Sequence, residues 1–306
     1  MIGLENVQEI FRGHVALHEP LKKYTSFRIG GPADYYLEPV GKDDLVRLVT
    51  YLQGQNFPFV IIGNGSNLLV SDEGIRGAVI NLEKGLSNIS SEGNVVAVEA
   101  GVRLPRFVDF CIQRGLKGVE MLPGIPGTVG GAVVMNAGAF GGEISDHLVE
   151  VEVLRAGEIL RVKKEDAGFS YRRSGFRRDI VLSATFRLSQ GDKAEMMKVR
   201  RELLVKRNES QPLNMPNSGS VFKNPEGSFA ARLIEDAGLK GKRIGGAQIS
   251  EKHGNFIVNV AKATAADVLA LVRLARETVA QKFGVILELE VKLLGFPEDV
   301  YKEARS

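Results

Sequence analysis

Apolar positions follow helical spacing in some segments of the first part of the chain and strand-like spacing in others. Leu45, Leu48 and Leu52 recur on one helical face and predict an amphipathic helix over 43–54. Similar patterns predict helices over 105–115 and 193–208. Short apolar or alternating runs predict strands over 58–62, 68–70, 77–82, 95–100, 149–153, 159–162 and 179–188.

The pattern changes after the charged helix at 193–208, where 211–217 form a linker rich in proline and asparagine. This change places the main domain boundary near residue 200. Beyond it, Thr264 is a typical N-cap and Gly284 a typical C-cap of a long helix over 264–283. The other elements predicted there are a helix over 228–237 and strands over 243–249, 254–260 and 285–294. This alternation indicates a compact α+β domain.

Composition is that of a globular protein with two or three domains: 306 residues, 44% hydrophobic and 25% charged. The net charge of +3 is small, and no run of Lys and Arg with interleaved aromatics indicates a nucleic-acid partner. The N-terminus lacks the basic region of a secretory signal. A single cysteine, Cys111, excludes an internal disulfide and fits a reducing compartment. The four histidines lack metal-ligand spacing, so no metal site is predicted.

Residues 121–142 carry no charged side chain and contain seven glycines. Their length is that of a membrane span, but these glycines, two prolines and Asn136 argue against a regular lipid-facing helix. Without side chains in the way, main-chain N–H groups can approach a ligand closely, and a diphosphate is the obvious one. The alternative is a set of tight buried turns.

Two further glycine clusters precede this stretch. Gly63–Asn67 follows an apolar strand and is suited to phosphate oxygens, although a plain β-turn fits equally. It is neither a Rossmann fingerprint nor a P-loop, because the third glycine, the following helix and the Lys-Ser or Lys-Thr pair are absent. Arg28 stands beside Gly30 and Gly31 in the third cluster. The three clusters predict one extended ligand held by loops.

Ser220 lies after a glycine, with Lys223 and Asn224 close behind it. This pattern suits an anionic substrate and a proton transfer, although a turn with a satisfied hydroxyl is the commoner structure. No Gly-x-Ser-x-Gly elbow is present, so a nucleophilic serine is not indicated.

Arg172 follows Tyr171 in a segment with four arginines in eight residues. Such a run is usually solvated, but an arginine held by an aromatic neighbour can clamp a carboxylate or phosphate. Glu288 and Glu290 fall on one face of the last predicted strand. They are either two solvent-facing acids, or one of them faces a cofactor.

Together these segments resemble the UDP-N-acetylenolpyruvoylglucosamine reductase family, flavoenzymes of peptidoglycan precursor synthesis. The resemblance runs from Tyr24 to about Gly295. Singly, the glycine loops are shared with other flavoproteins of the vanillyl-alcohol-oxidase type; the serine, arginine and C-terminal glutamate are more specific. The segments that carry it are Thr25–Gly31, Gly63–Asn67, Pro123–Ala139, Tyr171–Arg172, Gly219–Pro225, Gly245–Ala247 and Leu287–Val291.

The resemblance implies an α+β fold: a two-lobed FAD-binding domain of the vanillyl-alcohol-oxidase type and a C-terminal α+β substrate-binding domain. The expected divisions are 1–84, 85–200 and 201–306. NADPH is the expected reductant of a non-covalent FAD. The enolpyruvyl ether of UDP-N-acetylglucosamine is then reduced to give UDP-N-acetylmuramate. A UDP-sugar substrate, no nucleic-acid or membrane partner, a monomer and a cytoplasmic location are expected.

Site residues are carried over by position. Ser220 matches the family's proton donor, and Arg172 and Glu290 match its other two active-site residues. The expected substrate contacts are Tyr171, Arg207, Lys223 and Asn224. The expected FAD contacts are Arg28, Ile29, Gly30, Gly63, Asn64, Gly65, Ser66, Asn67, Gly124, Pro126, Gly127, Thr128, Gly130, Gly131, Asn136, Ala137 and Gly138.

Two features depart from the family pattern. Leu289 stands where the family often has proline, which leaves Glu288 as an alternative to Glu290. The connection from 179–188 to Ser220 is short, which indicates the subtype without an inserted tyrosine loop. Two other functions remain open: another FAD-dependent oxidoreductase of the same cofactor fold, and a non-catalytic nucleotide-binding protein.

Overall fold

A computed structural model describes residues 9–122 and 124–305. They form two compact units, each assembled from separate stretches of the chain. The first comprises the described residues up to Leu17, Tyr35–Asn64 and Gly77–Lys206. The second comprises His18–Asp34, Gly65–Arg76 and the described residues from Arg207 onward. The division at 1–84, 85–200 and 201–306 stays a prediction.

A four-stranded sheet stands near the N-terminus, with strand order β1-β2-β5-β3. Helix α1 (Lys42–Gly54) connects β2 to β3, and its leucines are buried as their spacing predicts. Strands β3 and β5 run parallel, with Phe59 opposite Ala78. The strands are β1 (His14–Pro20), β2 (Pro32–Glu38), β3 (Phe59–Ile62) and β5 (Ile75–Asn81). The sequence reasoning assigned no element to β1 or β2.

The centre of the first unit is an antiparallel five-stranded sheet, with strand order β12-β11-β13-β7-β6. Its strands are β6 (Ile89–Glu92), β7 (Val95–Glu99), β11 (Leu148–Arg155), β12 (Glu158–Lys163) and β13 (Ile180–Arg187). Val151 and Val153 are buried and the glutamate between them is less so, as their alternation predicts, whereas Ile180, Val181 and Leu182 are all buried. The ring of Phe186 packs against that of Phe107, with 4.9 Å between the centroids. Cys111 is buried in the same core, and burial raises the pKa of its thiol to about 12.

The remaining α-helices and strands described in this part of the chain are short, apart from one long helix. They are helices α2 (Leu104–Gln113), α3 (Val129–Met135) and α4 (Lys193–Ser210), and the strand pairs β8 (Leu116–Lys117) with β14 (Ser189–Gln190) and β9 (Gly138–Ala139) with β10 (Gly142–Glu143). Helix α3 lies inside the glycine-rich stretch, where the sequence predicted only loops. Thr128 caps it, because its side chain accepts from the backbone N–H of Gly131.

The second unit packs helices and short strands around Phe222, Leu271 and Val279. Its antiparallel sheet has strand order β15-β16-β17, and β18 pairs in parallel with β4. The elements are β4 (Leu68–Val70), α5 (Ala230–Asp236), β15 (Arg243–Ile244), β16 (Ala247–Ile249), β17 (Ile257–Asn259), α6 (Ala265–Phe283), β18 (Lys292–Leu294) and α7 (Glu298–Arg305).

Both predicted caps of the long helix are confirmed. Thr264 and Asp267 form a capping box at the start of α6, and Gly284 ends it in the left-handed region at φ 69°. Asp267 also accepts from the backbone N–H of Gly246, and these backbone hydrogen bonds lower the pKa of its carboxyl. The carboxylate of Asp72 accepts from the backbone N–H groups of Ala265 and Ala266.

Three predicted strands were wrong in extent. The segment 243–249 is two strands, because Gly245 turns the chain at φ 52°. The strand predicted over 254–260 is reduced to β17, after a turn in which Phe256 donates to the carbonyl of His253. In 285–294 only β18 is regular, because residues 288–291 bond instead to the segment around Val221. Within the described ranges, no helix combines the length and apolarity needed to cross a bilayer.

Candidate active site

Gly63 meets the glycine-rich stretch 121–142 in the first unit. A Cβ on Gly63 would lie 2.3 Å from Oγ1 of Thr128, so only glycine allows this approach. Thr128 in turn caps α3, which places Gly63 beside the first turn of that helix. The side chain of Asn64 donates to Glu83 at 3.4 Å.

The glycine stretch rests on the segment 100–104. Val129 donates to the carbonyl of Val102 at 2.8 Å, and Gly130 donates to that of Ala100 at 2.8 Å. A Cβ on Gly130 would lie 2.8 Å from the Cβ of Ala100, so packing within the protein explains this glycine. Gly131 is exposed, and its nearest neighbour within reach of a Cβ is Thr128 Oγ1 at 3.6 Å. Gly131 therefore leaves room for a ligand.

Asn136 is the most unusual polar residue of this stretch. It ends α3 in the left-handed region at φ 42° and is 1% exposed. Its Nδ2 donates to Glu143 Oε2 at 2.7 Å and to the carbonyl of Ser170 at 3.1 Å. Its Oδ1 is buried without a hydrogen-bond partner. A buried acceptor with no partner in the protein can accept a hydrogen bond from a bound water molecule or ligand.

Arg172 lies at the tip of a tight turn closed by Ser170 and Arg173, whose backbones exchange two hydrogen bonds of 3.0 Å. The residue has φ 55°, and its guanidinium donates to the carbonyl of Gly138 at 2.9 Å. Its Cζ stands 5.0 Å from the ring centroid of Tyr171. Arg172 is thus held by Gly138 and its aromatic neighbour, and the turn joins Asn136 through Ser170.

Gly65 meets the segment that contains Arg28 and Gly30 in the second unit. Gly65 has φ 65°, and a Cβ there would lie 1.9 Å from the carbonyl oxygen of Tyr24. The backbone of Ser26 donates to Gly65 at 3.2 Å. Arg28 stands exposed at φ 56°, and Ile29 after it is buried.

The other predicted FAD contacts occupy varied positions. Ser66, Asn67, Gly124, Ala137 and Gly138 are half-buried, and Pro126 is exposed. Gly30, Gly124 and Gly127 have positive φ values of 141°, 78° and 128°. Pro123, part of the glycine-rich motif, lies outside the described residues.

Ser220 and Glu290 are carried on adjoining backbones. Phe222 and Leu289 form an antiparallel bridge, and the N–H of Glu290 donates to the carbonyl of Val221 at 2.9 Å. Both Ser220 and Glu290 are half-buried. The side chain of Asn67 donates to the carbonyl of Glu290 at 3.2 Å, which ties Asn67 to this bridge.

Three of the predicted substrate contacts have partners inside the second unit. Lys223 pairs with Glu288, and Asn224 accepts from the backbone N–H of Ala230 at 3.1 Å, at the start of α5. Arg207 is 8% exposed and donates to Gln211 at 2.8 Å. Burial lowers the pKa of its guanidinium to about 10. Tyr171, in the first unit, is exposed.

Sequence reasoning missed Glu143 and Asn255, which hold site residues from a distance along the chain. Glu143 binds the amide of Asn136, and the available signal was its place as the first charge after the glycine stretch. Asn255 binds the backbone beside Ser220, and the signal was an amide at the head of an apolar run. Among the described residues, no cluster of three or more His, Cys, Asp or Glu could hold a metal ion.

Comparison with known proteins decides the family. The family model "UDP-N-acetylenolpyruvoylglucosamine reductase, C-terminal domain" matches residues 211–294, and the model "FAD binding domain" matches 33–163. The UDP-N-acetylenolpyruvoylglucosamine reductase of Chloroherpeton thalassium is 45% identical over 311 residues, covering 99% of this chain and 100% of the relative. That of Caldanaerobacter subterraneus is 46% identical over 298 residues, covering 96% and 98%. The chain belongs to the UDP-N-acetylenolpyruvoylglucosamine reductase family.

A solved structure agrees. The crystal structure of UDP-N-acetylenolpyruvylglucosamine reductase from Thermus caldophilus is 40% identical, with a TM-score of 0.80, and covers 92% of this chain and 99% of its own. The predicted family and the α+β fold class, an FAD-binding domain with a reductase C-terminal domain, are confirmed. As a member of this reductase family, the chain is an FAD-dependent oxidoreductase.

The residues of the first unit fit FAD. The buried Oδ1 of Asn136 needs a donor, and the isoalloxazine ring carries an N–H. The exposed backbone at Gly131 leaves space for a bulky group beside the capped start of α3.

Proposed function

We propose that this protein is the NADPH-dependent reductase of peptidoglycan precursor synthesis that converts UDP-N-acetylglucosamine enolpyruvate to UDP-N-acetylmuramate. The observation that carries the proposal is the bridge between Phe222 and Leu289, which brings Ser220 and Glu290 onto adjoining backbones inside the segment that matches the reductase C-terminal family. Neither another FAD oxidoreductase nor a non-catalytic nucleotide-binding protein explains Ser220, Arg172 and Glu290 together.

FAD would be held non-covalently by the residues carried over for it, in three groups. Asn136 and Gly131 have the features that fit FAD. The remaining residues of the glycine-rich stretch are Gly124, Pro126, Gly127, Thr128, Gly130, Ala137 and Gly138. The other two clusters supply Arg28, Ile29, Gly30 and Gly63–Asn67. When bound, FAD supplies hydride chemistry between NADPH and the enolpyruvyl double bond.

Arg172 stabilises the negative charge that develops on the substrate carboxylate and its neighbouring carbon as the double bond is reduced. Its guanidinium suits this role because Gly138 and the ring of Tyr171 already hold it. A preorganised cation costs little reorganisation when the charge appears.

Ser220 gives its hydroxyl proton to the carbanion-like carbon. A serine is a weak acid in water, but such a carbon is basic enough to take the proton from a well-placed hydroxyl. Glu290 orients the substrate or shares the proton transfer with Ser220. Tyr171, Arg207, Lys223 and Asn224 contact the UDP-sugar. The divisions at 1–84, 85–200 and 201–306, the monomeric state and the cytoplasmic location belong to the same proposal.

An anaerobic visible spectrum recorded during two additions tests the proposal. NADPH is added until the flavin bands bleach, and UDP-N-acetylglucosamine enolpyruvate is then added. We expect the yellow colour to return in proportion to the substrate. Bleaching without recovery would contradict the assigned substrate and favour another FAD oxidoreductase. The absence of flavin even after FAD addition would favour the non-catalytic alternative.

A further inference from the structure

Asn255 hydrogen-bonds three times to the two residues that follow Ser220. Its backbone carbonyl accepts from the N–H of Val221 at 2.9 Å. Its side-chain Oδ1 accepts from the N–H of Phe222 at 2.9 Å, and its Nδ2 donates to the carbonyl of Phe222 at 2.7 Å. Asn255 is 3% exposed. Its amide therefore acts on Phe222 as the peptide group of a neighbouring strand would.

The opposite edge of the same segment bonds to the residues around Leu289. Lys223 donates to the carbonyl of Glu288 at 2.8 Å, and Glu290 donates to that of Val221 at 2.9 Å. Residues 221–223 are thus held from both sides, as the middle strand of a sheet is held, although they form no regular strand.

The chain before Ser220 differs from the chain after it. Gly219 has φ 77°, and no atom lies within 4 Å of the place a Cβ would occupy. Its N–H donates to Oδ1 of Asn217 at 2.9 Å. Ser220 lies between the uncrowded Gly219 and Val221, whose backbone is hydrogen-bonded on both sides. The hydrogen bonds of Asn255 therefore fix the backbone position on the C-terminal side of Ser220.

Asn255 is itself rigidly placed. Its N–H donates to Nδ1 of His253 at 3.2 Å, and Phe256 donates to the carbonyl of His253 at 3.1 Å. A Cβ on Gly254 would lie 2.5 Å from the carbonyl oxygen of Ala231, so this turn packs closely on α5.

We propose that Asn255 is a positioning residue for Ser220: its buried amide fixes the backbone from which the serine hydroxyl donates its proton. This inference rests on the proposed function. A side chain with both a donor and an acceptor is required, because Phe222 presents its N–H and its carbonyl to the same residue. Proton transfer is sensitive to small displacements, so loosening Phe222 slows the step that uses Ser220.

The test compares Asn255→Asp, which keeps the shape and loses the donor, with Asn94→Asp, which makes the same change at an exposed turn between β6 and β7. Amide hydrogen exchange and the two half-reactions are measured on the FAD-loaded protein. In Asn255→Asp a carboxylate oxygen replaces the donor to the carbonyl of Phe222 and repels it, so we expect this segment to shift and exchange at Val221 and Phe222 to become faster. We also expect reoxidation by UDP-N-acetylglucosamine enolpyruvate to slow about tenfold or more, with reduction by NADPH within about twofold of the parent. Asn94→Asp should change both half-reactions little. If Asn255→Asp does not fold, Asn255→Ser is used.

Faster exchange with unchanged reoxidation would overturn the positioning role, and so would equal slowing of both half-reactions. Failure of the parent protein to be reoxidised by that substrate would instead overturn the proposed function, and with it the role assigned here. The exchange at Val221 and Phe222 measures how firmly the Asn255 hydrogen bonds hold these residues, whichever half-reaction is affected.

Discussion

Lys223 and Glu288 form an ion pair at the bridge that carries the candidate active site. Nζ of Lys223 lies 2.5 Å from Oε1 of Glu288, and the backbone N–H of Lys223 donates to the carbonyl of Glu288 at 2.8 Å. The glutamate side chain is 70% exposed and the lysine side chain 19%. Glu288 therefore holds its carboxylate in an ion pair with Lys223 at the protein surface, whereas Glu290 is half-buried.

The first prediction separates these two acids. Because an exposed ion pair contributes little, we expect Glu288→Gln to raise the KM for the UDP-sugar no more than about fivefold, with kcat within about twofold. Glu290→Gln should slow reoxidation by about a hundredfold or more while reduction by NADPH persists. Stopped-flow absorbance of the flavin measures both variants. The reverse pattern would make Glu288 the functional acid.

The second prediction concerns Gly65. Gly65→Ala places a Cβ 1.9 Å from the carbonyl oxygen of Tyr24 at a positive φ, and the obstacle is backbone, so we expect a large loss of thermal stability and of bound FAD. Gly157→Ala is the matched control, because Gly157 also has positive φ but no atom within 4 Å. It should cost about 1–2 kcal/mol and leave FAD bound. Similar melting temperatures for the two variants would refute the close approach at Gly65.

The third prediction concerns the unpartnered oxygen of Asn136. If that buried acceptor receives a hydrogen bond from FAD, Asn136→Ala should weaken FAD binding about tenfold, as measured by flavin fluorescence. Ser174→Ala is the control, because Ser174 is also buried and donates to the carbonyl of Val134 at 2.9 Å, yet has no unpartnered acceptor. Equal FAD affinities in the two variants would remove Asn136 from the cofactor site.

The fourth prediction is a pH dependence of stability. Burial lowers the pKa of His253 from its ordinary 6.5, and Lys240 lowers it further, while Glu235 opposes the shift. The folded protein therefore keeps this histidine neutral at pH values where the unfolded chain binds a proton. Its contribution to stability is complete above pH 6.5 and is lost progressively as the pH falls below it.

Urea unfolding between about pH 8 and pH 5 measures this effect in the parent and in His253→Asn. Asparagine can still accept from the backbone N–H of Asn255 but does not titrate. We expect the variant to lose less free energy of unfolding on acidification. Parallel curves would show that His253 does not contribute.

Sequence patterns predicted the elements whose stabilising contacts lie between residues close together in the chain. Helix α6 was predicted with both caps, because Thr264 and Gly284 act through neighbouring residues. The strand predicted over 285–294 was too long, because the bonding of 288–291 is decided by Val221 and Lys223, far away in sequence. Helix α3 was missed because glycine has a low helix propensity. The N-cap Thr128 and the hydrogen bonds to residues 100–104 stabilise this helix instead.

In the candidate site too, contacts between residues distant in sequence could not be predicted. Resemblance supplied Ser220, Arg172 and Glu290, but the groups that hold them are distant in sequence. Gly138 accepts from Arg172, and Asn255 binds the residue two places after Ser220. No period or motif connects such pairs, so the sequence alone does not show which residues meet.

In the proposed function, Ser220 supplies the proton in reduction of the enolpyruvyl group. The most direct measurement is anaerobic stopped-flow absorbance of FAD-loaded Ser220→Ala in the two half-reactions. We expect reduction by NADPH within about twofold of the parent, and reoxidation by UDP-N-acetylglucosamine enolpyruvate slower by about three orders of magnitude or more. Equal loss in both half-reactions, or reoxidation at the parent rate, would contradict it.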